Sequence, residues 1–291
     1  TVLKALQAEG HETEAAPYSP FAIRLQRKIA LNKHPLFESG VVEVQDEGSQ
    51  LLGHLLQPKR GEMVADFCAG AGGKTLLLGA LMRNTGRLYA YDVSDKRLAN
   101  LKPRLARSGL SNVHPVRIEH ERDQKIKRLA GKADRVLVDA PCSGLGTLRR
   151  NPDLKWRQSE QSVAELAVKQ GAILAAAARV ARPGGRLVYA TCSILAEENE
   201  HIVDAFLAAH PEFRRVSAQE LLAAQGLIER RHGRGTFVRS GLGGAPMLRF
   251  FRFGEGAGEP PQSRILARQV LAAPAEASRA LGLEAGTPAL R

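Results

Sequence analysis

Asp139-Ala140-Pro141-Cys142-Ser143-Gly144-Leu145-Gly146 decides how the rest of the chain is read. Just before it stands Arg135-Val136-Leu137-Val138, a β-branched apolar run of strand length. Just after it come Gly146 and then Arg149-Arg150-Asn151-Pro152, which cannot prolong a strand. An acid and a thiol therefore sit on a loop at the carboxyl end of a buried strand. In open α/β sheets that edge is where ligands bind.

Working outward, Arg186-Leu187-Val188-Tyr189-Ala190 reads as a second strand with the same ending, Thr191-Cys192-Ser193, followed by Glu197-Glu198-Asn199-Glu200 opening a helix. If the two strands are neighbours, Cys142 and Cys192 point into one cleft. A lone free cysteine is more often a small buried hydrophobe. Two of them, each at a strand end beside Pro or Thr/Ser, suggest covalent chemistry instead.

Upstream, Met63-Val64-Ala65-Asp66-Phe67 reads as a strand, Cys68-Ala69-Gly70-Ala71-Gly72-Gly73-Lys74-Thr75 as a glycine-rich turn, and Leu76 to Met82 as an apolar helix. Strand, glycine turn and helix form a ligand cradle with free N–H groups at the helix start. A phosphate-binding P-loop is the rival reading and a weak one despite Gly73-Lys74-Thr75, because Gly70 and Gly73 stand too close together. Arg87-Leu88-Tyr89-Ala90-Tyr91-Asp92 is the next strand, and Asp92 ends it where an acid can accept from ribose hydroxyls. Asn112 to Ile118 is a third strand. A long helix is expected from Glu160, capped by Ser159, to about Ala181, stopped by Pro183-Gly184-Gly185. Five strands alternating with helices mean a parallel, doubly wound sheet. Thr236 to Arg239 and Met247 to Phe253 read as a closing antiparallel hairpin.

Composition sets the outer bounds. The 291 residues are 44% apolar but only 5% aromatic, so the core is built mostly from Ala, Val, Ile and Leu. The net charge of +12 points to a polyanionic partner, nucleic acid before membrane. Three cysteines without CxxC or Cys/His spacing argue against a disulfide framework and against a structural zinc. No signal peptide or long apolar run is visible, and the expectation is a reducing, cytoplasmic setting. The chain opens at Thr1 in mid-pattern, as a fragment would. Residues 1–40 read as the remnant of an accessory module, either RNA-facing or a solvated linker. Residues 41–254 read as the main domain, and 255–291, rich in Ala, Gly, Pro and Glu, as a low-order tail with at most one short helix.

Several of these motifs occur together and in order: Gln45-Asp46-Glu47-Gly48-Ser49-Gln50, the Cys68 to Thr75 turn, Asp139 to Gly144, Arg149-Arg150-Asn151-Pro152-Asp153-Leu154-Lys155-Trp156, and Ala190-Thr191-Cys192-Ser193. Over residues 18–213 the chain resembles the Sun/Nop family of RNA cytosine-5 methyltransferases. The resemblance implies a Rossmann-like class I methyltransferase fold: a mostly parallel, seven-stranded sheet with helices on both faces, preceded by part of an N-terminal RNA-binding module. It implies S-adenosyl-methionine as donor, no metal, and a monomer acting on RNA, with rRNA favoured over tRNA.

It also implies roles. Cys68, Ala69, Gly70, Ala71, Gly72, Gly73 and Lys74 would hold the donor's methionine and ribose portion, and Asp92 its ribose hydroxyls. Glu119 stands nearest to the place of the adenine-binding acid after the third strand. Cys192 would be the nucleophile that adds to carbon 6 of cytosine, and Cys142 would assist loss of the carbon 5 proton and release. Asp139, counted with both the donor and the catalytic residues, would hydrogen-bond the base near nitrogen 3, and Lys74 would help position it. The base must be flipped out or unpaired. Arg149, Arg150, Lys155 and Arg157 would hold flanking phosphates, which position without reading sequence. The family's closing strands are only faintly matched by His232-Gly233-Arg234-Gly235-Thr236-Phe237.

Three other readings compete. A DNA cytosine-5 methyltransferase would use the cysteine after proline, Cys142, as its nucleophile. An amino-methyltransferase would carry an Asn/Asp-Pro-Pro-aromatic tetrad where Pro141-Cys142 stands. A catalytically idle RNA-binding assembly factor has no need of Asp139, Cys142 and Cys192 together.

Overall fold

The N-terminal segment is short and is held by its neighbours rather than by a core of its own. Helix α1 (Val2–Ala8) ends at Glu9, and Gly10 turns the chain with φ +82°. Strand β1 (Thr13–Ala15) pairs antiparallel with β2 (Ile23–Leu25), and α2 (Pro35–Glu38) follows, capped by His34. Glu47, the first residue of α3 (Glu47–Leu56), ties this hairpin down. It accepts the N–H groups of Tyr18 and Ser19 and pairs with Arg24 at 2.8 Å. The structure is a computed structural model, and it describes residues 1–231, 235–238, 270–272 and 288–290.

The apolar runs form one five-stranded parallel sheet. Its strands are β3 (Met63–Asp66), β4 (Arg87–Asp92), β5 (Val113–Arg117), β6 (Ala133–Asp139) and β7 (Ala181–Ala190), in the order β5-β4-β3-β6-β7. Strand side chains alternate between faces, so one sheet buries two cores. Val64, Leu88, Ala90 and Leu137 face a layer with Leu56, Leu78, Met82, Leu98 and Leu101. That layer comes from α3, α4 (Gly73–Leu81) and α5 (Asp95–Ser108). Ala65, Tyr91, Val136 and Val138 face the other layer, where the short α6 (Gln124–Lys127) supplies Ile126 and α8 (Glu160–Ala178) supplies Ile173, Ala176 and Ala177. A brief α7 (Leu154–Arg157) precedes α8. The doubly wound, Rossmann-like class expected from the sequence is the one found.

The chain winds outward from β3 to β5, then returns to the centre with β6. The reversal lies between β3 and β6, whose carboxyl ends open the crevice that such sheets offer to ligands.

Details differ from the sequence reading. Helix α8 stops at Ala178, not near Ala181. Val180 is already drawn into the sheet, its carbonyl accepting from Lys132 and Ala133, so Pro183-Gly184-Gly185 falls within β7, where the pairing with β6 shifts register. The helix expected from Glu197 begins as a 3-10 turn, Ala196–Glu198, and resumes as α9 (Glu200–Ala209) after a break at Asn199. Helix α10 (Ala218–Ala224) leads to β8 (Ile228–Arg231), which pairs antiparallel with β9 (Gly235–Val238) in a sheet of its own. The central sheet thus has five strands among the described residues, not seven. Met247–Phe253, expected to partner β9, lies outside the described residues.

By its contacts the chain divides into two units, Thr1–Gly243 and Gly244–Arg291. In the second unit, β10 (Val270–Ala272) pairs antiparallel with β11 (Pro288–Leu290), where the composition suggested at most one short helix. Among the described residues no helix is long and apolar enough to cross a membrane.

Candidate active site

A cavity of about 550 Å³ opens over the carboxyl ends of β3, β4 and β6. One half is walled by the glycine turn, Asp92, Val93 and Ile118; the other holds Lys74, Asp139, Cys142 and Cys192.

The glycine turn is shaped from below. Gly70 has φ +57°, and a Cβ there would meet nothing within 4 Å, so the turn bows into open space where a ligand can approach the backbone. Asp92 braces it. One carboxylate oxygen accepts the Gly70 N–H at 2.9 Å; the other accepts the Ser94 N–H at 2.8 Å and lies 3.3 Å from Arg97 Nε. Arg104 Nη1 donates to the Ala71 carbonyl at 2.6 Å. Asp66 lies beneath, fully buried, with one oxygen on the Thr75 hydroxyl at 2.7 Å and the other without a partner. Burial pushes its carboxyl up to about 7.

The second half straddles the topological reversal. Lys74 Nζ, at the start of α4, is 2.7 Å from Asp139 Oδ2 at the end of β6. Cys142 and Cys192 follow neighbouring strands, as the sequence required, and their Sγ atoms stand 3.3 Å apart. The two thiols divide one proton unequally. The hydrogen bond from Cys142, helped by a backbone N–H and by Lys74, outweighs burial and Asp139 and brings Cys192 down to about 7. The same contact, with burial, pushes Cys142 well above the ordinary thiol range. The pair therefore ionises first at Cys192, with Cys142 keeping its proton. Cys68, at the cleft's other end, is pushed up to about 12 by burial and by Asp66, Asp92 and Asp139, and is inert.

The Cys192 loop leaves no room for a side chain opposite it. A Cβ on Gly146 would come within 2.7 Å of the Cys192 carbonyl oxygen, to which Gly146 N–H donates at 2.9 Å.

Not every sequence-predicted residue joins the site. Glu119 is exposed and off the cavity wall; Glu121 lines it instead. The reason is local: Asp123 accepts the N–H groups of both Glu119 and Lys125, and this turn presents the residue two positions later. Arg150 is committed to Asp46, Nη1 to Oδ2 3.0 Å, and Arg157 to Asp153, 2.7 Å. Arg149 is exposed beside them. Lys155 sits in α7. The sequence reading missed Gln45, whose amide nitrogen is buried without a partner on the cleft wall, and Lys169, which also lines it. It also missed Glu198, whose burial no local pattern announces.

Away from the cleft, Glu9, His11 and His34 bring potential metal-ligand atoms within 4.8 Å of one another. His34 Nδ1 accepts the Leu36 N–H at 3.1 Å, so Nε2 carries the ring proton that it gives to Glu9 and has no lone pair for a metal.

An open parallel sheet with a cavity at its reversal point, a glycine turn on one side and a thiol pair on the other, has the architecture of the Rossmann-like methyltransferase fold class. The chain belongs to the 16S rRNA methyltransferase RsmB/F family, whose model matches residues 53–232. It is 42% identical over 193 residues to ribosomal RNA small subunit methyltransferase B of Sodalis glossinidius, covering 66% of this chain and 44% of that protein. The relative of the same name in Yersinia pseudotuberculosis is 40% identical, with 72% and 48% covered. The chain therefore spans about half the length of the curated relatives it matches. Among solved structures, that of PH0851 superposes with TM-score 0.70 at 38% identity, covering 73% of this chain and 48% of the other. NSun6 from Pyrococcus horikoshii with SFG gives 0.57 at 32%, with 65% and 48% covered.

Proposed function

We propose that this protein transfers a methyl group from S-adenosyl-methionine to carbon 5 of a cytosine in RNA, rRNA in the first instance. The observation that carries the reading is the Cys142–Cys192 pair, two sulfurs 3.3 Å apart beside the Lys74–Asp139 ion pair. The names of the relatives favour small-subunit rRNA.

The donor fits the first half of the cavity. Gly70 leaves space for a ligand against the backbone, Val93 and Ile118 offer an apolar wall, and Glu121 stands at the far rim. The Asp92 carboxylate already braces the turn, and its remaining lone pairs would accept from ribose hydroxyls. NSun6 from Pyrococcus horikoshii was crystallised with SFG, an analogue of this donor. When bound, the donor supplies an electrophilic methyl on a sulfonium.

Cytosine carbon 5 is too weak a nucleophile to take that methyl unaided. Addition of the Cys192 thiolate to carbon 6 makes the ring an enamine, which can. Lys74 supplies positive charge where negative charge builds on the ring, and Asp139, held by Lys74, would accept a hydrogen bond from the amino group beside nitrogen 3. Once Cys192 is bonded to carbon 6 its sulfur is no longer an anion that holds the Cys142 proton, so Cys142 can ionise and take the carbon 5 proton. The electrons of that C–H bond re-form the 5,6 double bond and expel Cys192. Arg149, Arg150, Lys155 and Arg157 would meet flanking phosphates, together with Lys169 on the cavity wall. Both thiols must stay reduced, which favours a cytoplasmic setting, and the protein is read as a monomer.

The test removes each thiol in turn. Cys192→Ala should lose both turnover and any covalent adduct. Cys142→Ala should attack, transfer methyl and stall, leaving a nuclease-sensitive slow band on a denaturing gel. The adduct kept in Cys192→Ala and lost in Cys142→Ala would reverse the roles. Methyl transfer to tRNA but not rRNA would change the substrate and leave the chemistry.

A further inference from the structure

Each cleft cysteine is followed by a serine, and the two serines touch, Ser143 Oγ to Ser193 Oγ 3.1 Å. Ser143 has one hydroxyl proton and gives it to Glu198 Oε2 at 2.5 Å, so Ser193 is the donor between the serines. Ser143 also gives its backbone N–H to Glu198 Oε1 at 2.8 Å. Gln170, buried on α8, spends its two amide protons on Glu198 Oε1 and on the Pro141 carbonyl, both at 2.9 Å. Tyr189 pins the Glu198 backbone, its hydroxyl donating to the Glu198 carbonyl at 2.7 Å. The next residue closes the other loop. Asn199 accepts from the Thr191 hydroxyl at 2.7 Å and donates to the Leu195 carbonyl at 2.8 Å and the Ser193 carbonyl at 3.3 Å.

Glu198 is 0% exposed. Burial alone would push its carboxyl up, but the hydroxyl and backbone N–H of Ser143 and the amide of Gln170 outweigh it and hold the group below the ordinary carboxylate range. It is therefore a carboxylate at neutral pH, held by neutral donors of the Cys142 loop and of α8, with Ser193 of the Cys192 loop bonded to Ser143 behind them. A buried charge of this kind is costly unless every donor stays in place.

We propose that Glu198 is a positioning residue for the Cys142–Cys192 pair: it clamps the two loops together and so sets the distance between the sulfurs. The inference rests on Cys192 acting as a thiolate nucleophile and adds what holds it in that state. Cys192 owes its thiolate mainly to the hydrogen bond from Cys142, and such a bond weakens steeply with distance. Glu198 touches neither sulfur; its effect passes through Ser143 and Ser193. An acid that merely folded the loop would change the melting temperature and leave the titration of Cys192 alone.

The test titrates the thiol in the complete chain without any RNA. Iodoacetamide alkylation of Cys192 is followed by intact mass against pH in the wild type, Glu198→Gln and Ser143→Ala. Melting temperature and calorimetric affinity for S-adenosyl-methionine are measured alongside. The alkylation midpoint should move from about 7 toward the ordinary thiol value of about 8.5, slowing the reaction at pH 7 roughly tenfold, with donor affinity within about twofold of wild type. Ser143→Ala, which keeps the charge and removes only the hydroxyl link, decides the matter if Glu198→Gln does not fold. An unchanged midpoint in the folded variants overturns the proposal. Loss of donor binding or of methyl transfer in the wild type would count instead against the proposed function, since the thiol titration needs neither.

Discussion

Cys142 Sγ lies 3.3 Å from Cys192 Sγ, and their contact raises the first thiol and lowers the second. The thiol that comes first in the chain is thereby made a poor nucleophile, and the second is made a good one near neutral pH. The pH profile follows. Cys192 reacts as the anion, so adduct formation should rise with pH through about 7 and level off above it. In Cys142→Ala the hydrogen bond is gone while burial and Asp139 remain, so the midpoint of adduct formation should move to higher pH. A rapid-quench series from pH 6 to 9 measures both; a midpoint that stays near 7 in Cys142→Ala would assign the thiolate to another cause.

Gly146→Ala should disable the nucleophile without touching the donor half of the cavity. Its Cβ would sit 2.7 Å from the Cys192 carbonyl oxygen, a backbone atom that cannot swing aside. A displacement of about 1 Å at a reacting atom costs on the order of a hundredfold in rate. Single-turnover methyl transfer should fall by about that factor, and calorimetric donor affinity should hold.

The Asp46–Arg150 pair spans the cleft rim, with both side chains largely in solvent. Asp46 also caps α3 by accepting the Gly48 N–H at 2.9 Å. Asp46→Asn keeps a capping oxygen but frees Arg150 for phosphate. RNA affinity at low salt should rise about two- to fivefold, in keeping with the small worth of an exposed ion pair. The slope of log affinity against log salt should steepen by about one where Arg150 gains a phosphate. Filter binding across a salt series reads both quantities.

Asp66 gives a stability test independent of turnover. Its folded value of about 7 lies above its ordinary value of 3.8, so its contribution is fully present below about 3.8 and is lost as pH rises through about 7. Asp66→Asn cannot ionise, so the variant should escape that loss. Its stability relative to wild type should improve between about pH 4 and 7, by at most about 1.4 kcal/mol per pH unit, and level off above, in urea unfolding. A constant difference across that range would place the ionisation elsewhere.

Much of the site is readable in the chain because it is made of contiguous pieces. Strand, glycine turn and helix follow one another in Met63 to Met82, and each cysteine ends its own strand, so parallel pairing alone brings them together. What escapes reading depends on turns and on distance. Glu119 gives way to Glu121 because Asp123 captures two backbone N–H groups. Arg150 meets a partner 104 positions away, which no spacing announces. Glu198 lies in an acidic run that looks like a solvated helix start; only the fold turns one of its acids inward between two serines. The end of α8 escapes because Val180 pairs with Lys132 and Ala133 before the proline and glycines are reached.

Cys68 carries a last consequence. It lines the cavity beside the glycine turn, in the half that the proposed methyl donor would occupy. An ordinary thiol there would slowly take that methyl and inactivate its own protein. Burial among Asp66, Asp92 and Asp139 keeps Cys68 protonated at any physiological pH. The acids that shape the glycine turn thus also protect the protein from alkylating itself, and a cleft lined by three sulfurs shows an electrophile only one.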